Sequence, residues 1–373
     1  MKILHLLYES MGDPFGFGGA GARAYEIYSR IRERHDITLL CRRYPGARDG
    51  EIAGLSHIFA GRESASFTVT LLSFALGANR FVKERGKTFD VIIQEFSPAV
   101  PTFLHCFIER PVVLQIQGYT GRLYFRKYNP VYASVLSFLE SVMPRFYRTI
   151  IFLSGENAGN YRVRHDARVV IIPNGIDGSL LETSPVENPY ILYLGRIDVY
   201  GKGLDLLIDA FREYGQSFPG TELVIAGDGR DRRRFEALVE QLPQPMRNST
   251  RLLGWVTGQD KREALRKAMF AVFPSRHEVQ PLALLEAMAC GKAVVVSDIA
   301  GHQCATESGA GTAFLSGDAS SLARAMKEMT ERQDRAEMGE KGRDYAGQFT
   351  WDAISQQYEE FLQSVVRDAG SRG

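Results

Sequence analysis

Apolar residues recur along the first half of the chain in short runs, separated by longer stretches of helical period. Residues 2–8 (KILHLLY) and 36–43 (DITLLCRR) flank an amphipathic segment at 22–34 (ARAYEIYSRIRER). Further β-branched runs follow at 90–96 (DVIIQEF), 111–117 (PVVLQIQ), 149–154 (TIIFLS) and 168–173 (RVVIIP). Several are apolar at nearly every position, the pattern of strands covered on both faces. Their alternation with helical segments predicts a parallel α/β sheet.

The pattern breaks after residues 173–177 (PNGID). Residues 178–189 (GSLLETSPVENP) are polar, hold two prolines and show no period, so they read as a linker. Strand–helix alternation then restarts. Strands are predicted at 190–196, 221–229, 251–256, 270–275, 293–298 and 312–316, with helical segments at 203–218, 230–242, 260–269 and 281–291. The division expected is an N-terminal domain over 1–177, a linker over 178–189 and a C-terminal domain over 190–350. A closing helix over 351–373 is expected to pack back toward the N-terminal domain.

Length agrees with this division, since 373 residues exceed one ordinary core. A net charge of +1 gives no bulk argument for nucleic acid. The charge is unevenly placed, however: residues 1–180 carry 22 Lys/Arg against 16 Asp/Glu, and the remainder 23 against 28. A basic N-terminal half points that half toward something anionic, such as a membrane surface. The four cysteines, Cys41, Cys106, Cys290 and Cys304, have no metal-ligand spacing and read as reduced thiols of a cytoplasmic protein. The first 13 residues read as a strand and not as a signal peptide. The longest apolar run, at 67–78, is too short to span a bilayer, so any membrane role is expected to be peripheral.

Residues 16–21 (GFGGAG) match G-x-G-x-x-G, but ESMGDPF separates them from the first strand, and the second strand ends in Cys41-Arg42-Arg43 without a ribose-binding acid. The reading preferred over NAD binding is a glycine loop before a helix. There Gly18 and Gly19 permit close backbone approach and the helix N-terminus offers N–H groups to an anion.

More chemistry lies in residues 274–298 (PSRHEVQPLALLEAMACGKAVVVSD). Pro281 suits a first helical position, leaving the N–H groups of Leu282 and Ala283 for a phosphate. Glu286 falls inside an apolar run and needs partners there, either ribose hydroxyls or a structural Lys or Arg. In residues 193–207 (YLGRIDVYGKGLDLL), Arg196 closes a strand and Lys202 precedes a helix, a placement suited to a diphosphate. No Asp-x-Asp pair or His cluster points to a metal, so no cofactor is expected and the diphosphate falls to protein charge.

These elements, in this order, resemble glycosyltransferase family 4, of GT-B architecture. The segment from Glu278 to Glu286 resembles the family's E-x7-E block, and Arg196 with Lys202 its Gly-Arg…Lys-Gly block. Residues 172–177, 225–229, 251–256 and 349–362 also match, as does the early glycine loop. The resemblance implies two Rossmann-like domains facing across a cleft, and retaining transfer from a UDP- or GDP-linked sugar. Arg196 and Lys202 would hold the diphosphate with help from Gly19. Glu286 would bind ribose, Val256 would lie against the base, and Glu278 would contact the donor sugar near the reacting carbon.

Three departures stand out. Gln117 replaces a frequent histidine, which removes any acid–base role there but leaves a hydrogen-bonding group for sugar. Pro281 replaces a glycine. The spacing from Arg196 to Lys202 is one residue longer than usual. Residues 119–148 mix basic and aromatic side chains, a composition suited either to a lipid interface or to an ordinary helix covering the sheet. Family members act on lipids, polysaccharides and small metabolites, so the acceptor stays open among these. The alternatives are another GT-B enzyme, such as an epimerase or disaccharide synthase, and a non-catalytic sensor of sugar nucleotides.

Overall fold

A computed structural model describes residues 1–11, 18–64, 66–104 and 108–371. The chain forms two compact units: residues 1–175 together with 351–373, and residues 176–350. Each is built on one largely parallel sheet.

The first unit holds β1 (Lys2–Leu6), β2 (Asp36–Arg42), β3 (Gly50–Ile52), β4 (Leu55–Ala60), β5 (Val91–Glu95), β6 (Val112–Ile116), β7 (Thr149–Phe152) and β8 (Arg168–Ile171), in the order β3-β4-β2-β1-β5-β6-β7-β8. All neighbours are parallel except β3 and β4. That hairpin has a two-residue turn in which Ala53 (φ 52°) and Gly54 (φ 75°) are both left-handed, as a tight β-turn of this twist requires. The apolar-run criterion missed β4 because its positions alternate, with Ser56 exposed and Leu55 and Phe59 buried. Helices Phe67–Arg85 and Pro130–Val142 cover the face that carries Leu4, Leu6, Ile92, Leu114 and Phe152.

Helices Gly19–Ile31 and Trp351–Gly370 pack against each other within this unit. Tyr28 meets Tyr358 edge-on, at 6.2 Å between centroids. Glu359 joins Arg34 and His35, and Arg30 joins Asp352 at 2.8 Å. Gly175 is required where the chain passes Trp351, because a Cβ there would fall 2.6 Å from the indole. Arg23 is wholly buried beneath this layer. Its guanidinium donates to the carbonyls of Ile172 (2.9 Å) and Pro173 and to Asn174 Oδ1 (3.3 Å). Burial draws its pKa down to about 10, against the pull of Tyr358 and Glu95, so it stays cationic at neutral pH.

The second unit holds β9 (Tyr190–Leu194), β10 (Glu222–Ala226), β11 (Thr250–Gly254), β12 (Phe270–Phe273), β13 (Val294–Ser297) and β14 (Gly311–Phe314), all parallel, in the order β11-β10-β9-β12-β13-β14. This is the doubly wound order, with its reversal between β9 and β12. Helices Leu204–Tyr214 and Ala319–Glu331 lie on one face and Gly258–Lys267 and Leu282–Ala289 on the other.

Residues 178–189, read from the sequence as a linker, are packed onto this second unit. Leu180 is buried, the N–H groups of Val186 and Asn188 bond the carbonyls of Arg266 and Lys267, and buried Lys292 donates to Val186 O at 2.9 Å. The polar composition hid this docking because most of the bonds are made by backbone.

Arg23 carries the first test. Arg23→Met keeps the buried volume but strands two carbonyls, and should cost about 2–4 kcal/mol of stability. Urea unfolding should show a lower midpoint with an unchanged slope; an unshifted midpoint would refute the role.

Candidate active site

In open α/β sheets, ligands bind beyond the carboxyl ends of the strands where the order reverses. In the second unit that place lies beyond β9 and β12, and the sequence puts Arg196 after the first and Ser275 and Glu278 after the second. Three backbone turns meet at the ends of β9, β10 and β11. Gly195 N–H bonds Ala226 O (3.0 Å) and Gly227 N–H bonds Gly254 O (2.7 Å). Gly227 (φ 157°) passes so close to Gly195 that a Cβ would lie 1.8 Å from its carbonyl oxygen. The glycine turn at 227–229 is thus a packing requirement.

Lys202 and Glu278 form an ion pair through Nζ and Oε1, with side chains 24% and 15% exposed. Ser275 Oγ donates to the same Oε1 at 3.1 Å. Burial works to raise the Glu278 carboxyl, but the Lys202 charge and hydrogen bond, with the Ser275 hydroxyl, hold it below the usual range. The pair is held by backbone contact. Gly203 is left-handed (φ 65°), and a Cβ on it would fall 1.9 Å from Pro274 O. Arg276 forks onto Asp205 (2.7 and 2.9 Å), bonds Tyr200 O (2.7 Å) and stacks 4.4 Å from the Tyr200 ring centroid. The residue that lengthens the Arg196-to-Lys202 spacing therefore lies in a loop stapled to the segment after β12. Arg196 is exposed, and its guanidinium has no partner among the described residues.

Pro281 stands one position before the first helical residue, so Leu282 opens the helix instead. The N–H groups of Leu282 and Ala283 have no hydrogen-bond acceptor among the described residues. Glu286 is half-buried and pairs with Lys261 Nζ at 2.6 Å, the structural option that the sequence left open. Val256 lines a groove of about 670 Å³ with Tyr190, Leu253, Trp255 and Ala264. That groove runs along the β11 edge and is not lined by Arg196, Lys202 or Glu278.

The first unit departs from expectation at the glycine loop. Gly16 and Phe17 lie outside the described residues, as does Cys106. Gly18 caps helix Gly19–Ile31, but the N–H groups of Gly18 and Gly21 already donate to Glu9 Oε2, at 3.0 and 2.9 Å. The chain's own carboxylate binds two N–H groups where an external anion was expected, while a Cβ on Gly19 would meet nothing among the described residues. Gln117 follows β6, and its Nε2 is buried without a partner among the described residues. The next turn is held by buried Glu140, which accepts from Thr120 N–H (2.9 Å), Gly121 N–H (2.7 Å) and Tyr124 OH (3.1 Å). Glu9, Glu140, Ser275, Arg276 and His302 were not picked out in the sequence. Glu9, Glu140 and Arg276 act on backbone amides or on residues distant in the chain, which no local spacing signals. Ser275 and His302 bond Glu278 and Ser297, three and five positions away, but nothing in the residue types marks those pairs.

Two family profiles match the chain, one in each half. A profile described as Glycosyltransferase Family 4 matches residues 17–180, and one described as Glycosyl transferases group 1 matches residues 188–332. The phosphatidyl-myo-inositol mannosyltransferase of Mycolicibacterium smegmatis is 31% identical over 207 residues, 52% of each chain, so the match spans about half that relative's length. The like-named protein of Propionibacterium freudenreichii is 27% identical over 92% of this chain and 91% of its own. Sucrose-phosphate synthase from Thermosynechococcus elongatus shares the fold at a TM-score of 0.81 and 19% identity, covering 98% of this chain and 99% of that one. Anabaena HepE in complex with UDP-glucose does so at 0.73 and 20%, covering 98% and 100%. With both profiles matched in order, and with two parallel-sheet α/β units, the chain belongs to the family 4, or group 1, glycosyltransferases of GT-B fold.

Proposed function

We propose that this protein is a retaining hexosyltransferase that moves a sugar from a UDP- or GDP-linked donor to a lipid-linked or glycan acceptor, using protein charge in place of a metal. The observation that carries this is the Lys202–Glu278 pair at the switch point of the second sheet, with Arg196 there unpaired among the described residues. In this reading Arg196 and Lys202 bind the diphosphate, supported by the N–H groups of Leu282 and Ala283. Glu278 bonds the donor sugar, Glu286 the ribose, and Val256 touches the base. In the first unit, the Gly19 backbone is the part of the glycine loop left for an anion, and Gln117 bonds sugar. The relatives support the substrate class: the mannosyltransferases are named for a lipid acceptor, and HepE was captured with UDP-glucose.

The chemistry follows from charge. The bond from the sugar's anomeric carbon to the diphosphate oxygen breaks, and the acceptor oxygen bonds that carbon from the same face. The acceptor's proton passes to the leaving phosphate. Negative charge grows on the departing diphosphate, so fixed cations stabilise the transition state more than the ground state.

The site is proposed to work at a cytoplasmic membrane face. Among the described residues no helix is long and apolar enough to cross a membrane. Exposed apolar side chains nevertheless line two helices on the same side of the first sheet: Val131, Val135 and Phe138 on one, Val69, Leu72 and Leu76 on the other. Exposed Arg122, Arg126 and Arg145 lie near the first of these in sequence. Apolar side chains with flanking cations suit an anionic lipid surface.

Arg196→Ala or Lys202→Ala should lower kcat about 10²–10³-fold, or about 3–4 kcal/mol, with donor saturating. Parental turnover in both would overturn the assignment. Release of nucleoside diphosphate from a panel including UDP-glucose and GDP-mannose supplies the assay. Transfer should also persist in EDTA; complete loss, restored by Mg²⁺ or Mn²⁺, would refute metal independence. Vesicles rich in phosphatidylglycerol should co-sediment the protein, and Val135→Asp with Phe138→Asp should abolish that. Equal sedimentation of parent and variant would remove this face from membrane docking.

A further inference from the structure

Behind Glu278, the segment that follows β13 braces the segment that follows β12. Ser297 and His302 are fully enclosed, at 0% and 1% exposure. His302 Nδ1 lies 3.1 Å from Ser297 Oγ and 3.3 Å from the Ser297 carbonyl oxygen. Ser297 Oγ donates to the Ser275 carbonyl at 2.5 Å, and Ser275 Oγ donates to Glu278 Oε1. The backbones are also pressed together, since a Cβ on Gly301 would fall 2.3 Å from Glu278 O.

Proton counting fixes the tautomer. A carbonyl oxygen only accepts, so the single Ser297 hydroxyl proton is committed to Ser275. Ser297 Oγ must then accept from His302, and the Ser297 carbonyl can do nothing else, so Nδ1 carries the hydrogen. Nε2 is left as a bare acceptor, and it is buried without a partner among the described residues. Burial holds the imidazole pKa down to about 4, against the pull of Glu278 and with the help of Lys202, the two charged groups that act on it. A neutral ring adds no second cation to compete with Lys202 for Glu278. Both identified partners of that carboxylate meet Oε1, and Oε2 has none among the described residues.

We propose that His302, as the neutral Nδ1–H tautomer, is a positioning residue for Glu278. It anchors Ser297, which holds the Ser275 main chain, so that Ser275 and Lys202 both engage Oε1 and leave Oε2 for the donor sugar. This rests on the reading of Glu278 as the sugar contact.

The test compares three variants on whichever of UDP-glucose and GDP-mannose the parent turns over. Asparagine places an amide N–H near the position of Nδ1, glutamine nearer that of Nε2, and leucine neither. His302→Leu and His302→Gln should lower kcat about tenfold with donor KM nearly unchanged, and His302→Asn should recover most of the loss. Parental kcat in His302→Leu would overturn the proposal. So would equal losses in all three variants that track their melting temperatures, which is the behaviour of a packing residue. Nitrogen-15 spectra of the intact parent need neither substrate nor a folded variant. They should show Nδ1 protonated and Nε2 bare from about pH 6 to about pH 8, and the reverse tautomer or an imidazolium would refute it. Glu278→Gln at parental kcat would instead sink the Glu278 reading, a result separate from the tautomer.

Discussion

A carboxylate and an ammonium drawn out of bulk water lose hydration, and close pairing with further hydrogen bonds is what compensates. Lys202 and Glu278 meet that condition at the carboxyl end of the second sheet, and the shape of the surrounding loops follows from it. Lys202 reaches Glu278 only because Gly203 turns left-handed against Pro274, where a larger residue would collide. Arg276 ties the two loops together through Asp205 and the Tyr200 ring. The Ser297–His302 segment closes the site from behind. Arg196, by contrast, remains exposed and unpaired among the described residues, an available charge beside one already neutralised.

Six strands of the first sheet, β4-β2-β1-β5-β6-β7, follow the order of the second, yet the two switch points differ in what they leave for an anion. In the second unit the cation of Arg196 and the N–H groups of Leu282 and Ala283 are left available to an anion. In the first, two of the N–H groups at the start of the helix after β1, those of Gly18 and Gly21, are already taken by Glu9. A helix N-terminus favours whichever negative group is held nearest, and a carboxylate of the same chain has no association entropy to lose. Similar topology thus leaves one end with unpaired donors among the described residues and gives the other a carboxylate of its own chain.

Much of the fold was legible in the sequence because strands covered on both faces must be apolar throughout. That holds for β5, β7, β9, β12 and β13, whose residues are nearly all buried. The rule fails where a strand is half-solvated, as at β4, and where a polar segment docks through its backbone, as at 178–189. Arg23 shows the same limit from the other side. A basic residue on an amphipathic helix reads as surface, and only the carbonyls of residues 172–174, about 150 positions away, give it reason to be buried.

The sequence alone determined the strand–helix alternation, the placement of Arg196, Lys202 and Glu278 beside strand and helix ends, and that of Glu286 inside a helix, since these follow from local periodicity and spacing. Tertiary structure decided which groups pair. It gave Lys202 to Glu278, Lys261 to Glu286 and Glu9 to the helix N-terminus, and it set His302 behind the site. These are choices among many charges of suitable sign. Distance and burial rank them, and neither quantity exists until the strands are ordered in the sheet and the loops at their ends brought together.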